Sequence, residues 1–145
     1  MKRNPALLLA TLLISIGVGC DNNDSPTAPV VDEPDVETVV ETFEGTITLG
    51  EVSCHAFTAM QSGPAEMKIT SLEPLQTLTV GLGLGNDDGD PASACPFFAT
   101  DRSVRVGETL LTSVVATDSY CVCVFDVGNI FADQTVTYVF DVDHP

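Results

Sequence analysis

Apolar and polar residues alternate along a series of short stretches from Val39 to the end of the chain. Residues two apart share a face of a β-strand, so this alternation predicts strands with one buried face. Turn residues such as Ser62-Gly63-Pro64 separate the stretches, and no helical period appears beyond the N-terminal segment. The pattern therefore predicts an all-β protein, a single antiparallel β-sandwich of about eight strands over residues 39–145. The predicted inward positions include Phe43, Gly45, Ile47 and Leu49; His55, Phe57 and Ala59; Met67 and Ile69; Leu78, Val80, Leu82 and Leu84; Val104 and Val106; and Val136, Tyr138, Phe140 and Val142.

The stretch from Tyr120 to Phe125 organises the others, because it alternates most strictly and holds two cysteines. Cys121 and Cys123 point to the same side of this strand, with Val122 opposite. Their Cβ atoms are expected about 6–7 Å apart, whereas a disulfide needs roughly 4 Å. These two cysteines should not bond each other, which leaves two possible pairings with Cys54 and Cys95.

The N-terminal segment is typical of an export signal. Lys2 and Arg3 precede an apolar run from Ala6 to Ile16, which is too short to span a bilayer and is followed by small residues. Residues 1–19 are predicted to be a signal peptide. Residues 20–38 are predicted to be an acidic, proline-rich linker, because such a composition buries too little apolar surface to order itself.

Gly17-Val18-Gly19-Cys20 resembles the lipobox of bacterial lipoproteins. That resemblance implies that Cys20 becomes the first residue and carries lipid, so the protein would be anchored to a membrane of the cell envelope. Ordinary secretion is the alternative. Of the 5 cysteines, lipidation of Cys20 leaves an even number for disulfides.

The formal net charge of −16 is large for 145 residues. Such a surface repels nucleic acid and anionic lipid headgroups, so neither is expected as a direct ligand. Divalent cations and basic partners remain compatible with it.

Five motifs occur in an order that resembles the bacterial pre-peptidase C-terminal domain: Phe43 to Gly50, His55-Ala56-Phe57, Leu78-x-Val80-x-Leu82, Tyr120-Cys121-Val122 and Val136 to Val142. The resemblance covers residues 43–145 and implies a jelly-roll-like sandwich without catalytic residues, found in exported proteins. It also implies that a loop cysteine bonds the cysteine of Tyr-Cys-Val. Together with the shared non-core face of Cys54 and Cys123, this favours Cys54–Cys123 with Cys95–Cys121, and the swapped pairing is the alternative.

Asp87, Asp88 and Asp90 offer the oxygen ligands that calcium prefers, in a loop after the predicted fourth strand. The spacing does not match an EF-hand loop, because Gly89 comes too early and no matching Glu follows, and a solvated acidic turn is the simpler interpretation. Asp126 with Asp133 is a weaker candidate. No other cofactor is indicated.

Two further patterns have a structural and a functional interpretation. Gly81, Gly83 and Gly85 alternate along one strand, which is compatible with close packing or with a ligand groove. His55 and His144 are the only histidines; His55 is expected at the edge of the core, and His144 in a poorly ordered terminus.

No serine or free thiol near either histidine forms a recognisable hydrolytic motif, so an enzyme is not expected. The sequence favours a non-catalytic, exported and lipid-anchored β-sandwich that serves as a binding or accessory domain for an envelope protein or polymer. A calcium-dependent adhesion or carbohydrate-binding module is the alternative.

Overall fold

The structure, a computed structural model, describes residues 37–89 and 94–145. These residues form eight β-strands. Their bounds are β1 Val39–Ile47, β2 Val52–Thr58, β3 Gly63–Glu73, β4 Val80–Asn86, β5 Phe97–Val104, β6 Thr109–Val114, β7 Ser119–Phe125 and β8 Val136–His144.

The strands form two four-stranded antiparallel sheets. The first, called the β8 sheet, has the order β1-β8-β3-β6, and the second, called the β7 sheet, has the order β2-β7-β4-β5. Successive strands mostly change sheet, which is the jelly-roll arrangement of a β-sandwich. The predicted fold class is confirmed, and so is the central place of the Tyr120 strand, since β7 pairs with both β2 and β4.

The core lies between the sheets and takes the alternate residues of nearly every strand. Met67, Ile69, Tyr138 and Phe140 are fully buried from the β8 sheet, and Leu82 faces them from the β7 sheet. Burying such side chains contributes about 1.5–3 kcal/mol each, which makes the alternating pattern the main determinant of the fold.

Four predicted boundaries were wrong. Gly63 and Pro64 begin β3 instead of forming a turn, and Pro64 is tolerated because β8 pairs with β3 only from Glu66 onward. Leu49 is 53% exposed in the turn after β1, and Leu78 packs against the core from the segment before β4.

β5 is the fourth element whose boundary the sequence pattern placed incorrectly. It runs unbroken from Phe97 to Val104, whereas the pattern indicated only a short strand at Val104 and Val106. Its pairing with β4 shifts register twice, so its inward residues do not follow a period of two.

Candidate binding surfaces

The outer side of the β7 sheet carries both disulfides. Cys54 is bonded to Cys123, directly opposite it on β7, and Cys95 is bonded to Cys121 across 6.0 Å between Cα atoms. The favoured pairing is confirmed, and the swapped pairing was wrong. Two such bonds indicate an oxidising, extracytoplasmic environment. We call this outer side the disulfide face.

The three alternating glycines of β4 lie on the disulfide face, where neighbouring groups fill the space above them. A Cβ atom at Gly81 would overlap the Phe125 ring. One at Gly83 would lie 2.9 Å from the Phe97 ring, and one at Gly85 would meet the Pro96 carbonyl. Of the two interpretations of these glycines, close packing is therefore correct.

Of the two rings over the glycines, Phe97 is exposed and Phe125 is buried. Phe97 is 39% exposed and stacks on Phe125 with 5.7 Å between ring centroids. The Arg102 guanidinium lies 5.9 Å from the Phe125 centroid, within the range of a cation–π contact. The disulfide face is thus a covalently braced surface with one partly exposed aromatic stack.

The outer side of the β8 sheet holds a shallow open groove. Its lining comes from three neighbouring strands, and we call it the acidic groove. The lining residues are Val40 on β1, Asp141 and Asp143 on β8, and Glu66 and Lys68 on β3.

The register brings like charges together in the acidic groove. Glu66 lies directly opposite Asp143, a placement that destabilises a sheet. The Oδ1 atom of Asp143 is buried and has no hydrogen-bond partner among the described residues, whereas Asp141 accepts a 2.7 Å bond from Thr42. Lys68 lies opposite Asp141, and the groove keeps an excess of carboxylates.

Sequence reasoning missed this groove. The alternation of Asp141 with Asp143, and of Glu66 with Lys68, marks two charged outward faces. Their register decides which charges meet, and register between strands far apart in sequence cannot be read from either strand alone.

A polar network closes one side of the sandwich, where β1 of one sheet lies beside β2 of the other. The Tyr138 hydroxyl donates to Ser53 Oγ at 2.7 Å and accepts from His55 Nε2 at 2.8 Å. Because the tyrosine hydrogen is used on Ser53, this network assigns the Nε2–H tautomer to His55. The His55 ring also packs 5.0 Å from Phe43, which confirms the predicted place at the edge of the core.

Burial sets the proton affinities in this network. It lowers the pKa of His55 and raises that of Tyr138. The hydrogen bond to Ser53 acts to lower the pKa of Tyr138, while the charge of Glu51 raises it further. A neutral imidazole bonded to a neutral phenol fits a structural role.

His144 is ordered and 2% exposed, so the expectation of a poorly ordered terminus was wrong. Its ring packs on Phe57 at 4.7 Å, and its Nε2 atom lies 3.0 Å from Glu41 Oε1. The main-chain oxygen of the next residue, Pro145, accepts hydrogen bonds from Met60 and Gln61. These contacts hold the end of β8 against the β2–β3 turn.

Asp126 serves as an anchor for the β7–β8 loop. Partial burial acts to raise the pKa of its carboxyl, but N–H groups of Gly50, Asn129, Gly128 and Ile130 donate to it and hold that pKa below its usual value. These bonds tie the β1–β2 turn to the loop. Both carboxylate oxygens are engaged, which does not favour a calcium ligand here.

The stronger calcium candidates are only partly described. Asp87 accepts a 2.9 Å bond from the Gly89 N–H, as in a solvated turn, and Asp90 lies outside the described residues. Within residues 37–89 and 94–145, no group of three or more His, Cys, Asp or Glu side chains is placed to hold a metal ion.

The predicted signal peptide, Cys20 and most of the predicted linker lie outside the described residues. In the part of the chain that the structure does describe, no helix has the length and apolar character needed to cross a membrane. Neither the protein-family models nor the curated proteins include a match to this chain. The resemblances to a lipobox and to the pre-peptidase C-terminal domain stay predictions.

Proposed function

We propose that this protein is an exported, lipid-anchored β-sandwich module that binds a cationic segment of another envelope component, without catalysing a reaction. The observation that carries the proposal is the direct opposition of Glu66 and Asp143 in the acidic groove. A sheet that retains two opposed carboxylates loses stability there, and a bound cation would remove that repulsion.

The overall charge supports a basic partner. The chain has 21 acidic and 5 basic residues, so its field attracts cationic ligands over distances comparable to the Debye length. The groove supplies a local site where Val40 contributes an apolar contact beside the carboxylates. A lysine or arginine side chain combines an apolar stem with a charged end and matches this combination.

The oxidising environment indicated by the two disulfides agrees with export. The lipobox-like Cys20 supports attachment to a membrane, where the acidic linker would hold the sandwich away from the bilayer. Replacement of Cys20 by serine is expected to move the protein from the membrane fraction to the soluble fraction. Retention in the membrane fraction would contradict the anchor.

Binding is tested with the full chain in mild detergent and a fluorescent oligolysine peptide as probe. We expect binding that weakens with added salt, and a loss of about three- to tenfold in affinity for Asp143→Asn. Asp118→Asn is the matched control, because it removes the same charge from an exposed residue that does not line the groove. Equal losses in the two variants would mean that net charge alone attracts the peptide.

The calcium-dependent alternative is tested in the same preparation. A rise in melting temperature at millimolar calcium, without oligolysine binding, would favour an adhesion module instead.

A further inference from the structure

β6 is an edge strand that carries no charged side chain, unlike the edge strands β1 and β5. β1 and β5 carry charged side chains such as Glu44 and Asp101, and β2 is joined to the facing sheet through His55. Residues 109–117 contain no charge, no proline and no glycine. Edges of this kind pair readily with another strand.

Leu111 makes this edge unusual. It is 67% exposed, the highest value for a large apolar side chain within any described strand. Its side chain points to the outer side of the β8 sheet, opposite Glu66 of β3.

The backbone of β6 has a defined set of free groups. Ile69 N–H donates to the Glu108 carbonyl, which fixes the alternation of hydrogen-bonded positions in the β3–β6 ladder. Every second residue counted from Glu108 therefore bonds β3. The residues between them direct their N–H and C=O groups away from β3, and these are Thr109, Leu111 and Ser113.

This set is complementary to itself. When a second copy of β6 lies antiparallel with Leu111 opposite Leu111, Thr109 of each copy lies opposite Ser113 of the other. The free N–H and C=O groups of one strand then face those of the other strand, which gives about six backbone hydrogen bonds. The two exposed leucines cover each other, the hydroxyl side chains form mixed pairs, and no like charges are brought opposite.

We propose that two copies of this chain associate through antiparallel pairing of their β6 strands about a two-fold axis at Leu111. The proposal is independent of the acidic groove. The net negative charge of the protein opposes association, and the uncharged run of residues 109–117 adds no further repulsion at this edge. Strand pairing of this length buries less than the roughly 1,200 Å² typical of stable interfaces, so the dimer depends on concentration.

Disulfide trapping tests the register. The full chain with Leu111→Cys is exported in cells, and covalent dimers are measured on non-reducing gels. The two Cα atoms at position 111 are expected about 5.5 Å apart, within the range that a disulfide bridges. Ser113→Cys is the matched control on the same strand and face, where the two copies of residue 113 are separated by about 13 Å.

We expect at least about fivefold more covalent dimer from Leu111→Cys than from Ser113→Cys. Equal yields would reflect random collision and would overturn the proposal. Sedimentation of the wild-type full chain in mild detergent provides an independent measurement. We expect the fraction of dimer to rise with protein concentration. For Leu111→Lys we expect the dimer dissociation constant to increase at least about tenfold. A wild-type chain that stays monomeric up to about 0.1 mM overturns the proposal even if the cysteine variants are not exported.

Discussion

Replacement of Asp126 by alanine should destabilise the fold far more than the loss of an ordinary partly exposed acid. The carboxylate accepts backbone N–H groups of Gly128, Asn129 and Ile130 on Oδ1 and of Gly50 on Oδ2. Alanine removes all of these side-chain bonds and leaves only the backbone bond from the N–H of residue 126 to the Glu51 carbonyl between the loop and the β1–β2 turn.

The magnitude follows from the number and exposure of these bonds. Each of these hydrogen bonds contributes about 0.5–1.5 kcal/mol net to the free energy of unfolding. We take the lower half of this range, because water can replace the carboxylate at this partly exposed position. We therefore expect Asp126→Ala to lower the free energy of unfolding by about 2–4 kcal/mol. Asp126→Asn retains an oxygen for the loop but turns an amide toward Gly50, so its loss should be about 1–2 kcal/mol.

Urea denaturation under non-reducing conditions measures both variants, with Asp118→Ala as the control for loss of one exposed acid. The pKa of Asp126 is lowered in the folded state, so its contribution is complete above the unfolded pKa of about 3.9. That contribution is lost as the pH falls through the folded pKa, and the gap between wild type and Asp126→Asn should narrow in acid. An Asp126→Ala variant as stable as Asp118→Ala would refute the anchoring role.

Three further predictions concern packing, pH and the disulfides. Gly81→Ala places a methyl group against the Phe125 ring and should destabilise the domain by about 1–3 kcal/mol in urea; an unchanged midpoint would show that the ring moves freely. Burial lowers the pKa of His55, so its contribution is complete above the unfolded pKa of about 6.5 and is lost as the pH falls through the folded value. The difference in unfolding free energy between wild type and His55→Gln should shrink as the pH falls from 8 to 5. A constant difference would contradict a lowered pKa for His55. Replacing both cysteines of the Cys54–Cys123 bridge by serine should destabilise the domain by about 4.4 kcal/mol, and the same change at the Cys95–Cys121 bridge by about 3.5 kcal/mol. The first loss is larger because the sequence separation that the bridge closes is 69, against 26 for the second. A larger loss at the Cys95–Cys121 bridge in urea denaturation would show that the stabilisation by these disulfides does not come from the entropy of the unfolded chain.

Much of the fold was predictable because inward positions repeat with a period of two. Phe140 and Val142 on β8 occupy the predicted buried face. The pattern failed where local geometry departs from that period, as in β5, whose two register shifts place Phe97 and Phe98 both at the surface. Leu49 followed the period of β1 but lies beyond the last paired residue.

The candidate surfaces were less predictable, because they depend on which distant strands become neighbours. Strand geometry excluded a bond between Cys121 and Cys123, and the resemblance together with the shared outward face of Cys54 and Cys123 favoured the partners that the pairing of β2 with β7 confirms. The opposition of Glu66 and Asp143 arises from a register between strands separated by about half of the chain. The order around His144 likewise depends on Phe57 and Glu41, which are distant in sequence.

The pairing of β1 with β8 also determines how the domain bears mechanical load. The ladder runs without a register shift from Val39 opposite His144 to Ile47 opposite Val136. A pull on the chain that enters at Val39, directed along the strand while β8 is held, shears the whole ladder at once. All of its hydrogen bonds then resist together, whereas a pull across the strand would open them one after another. The direction of pulling therefore decides whether β1 is a firm attachment or the first strand to detach.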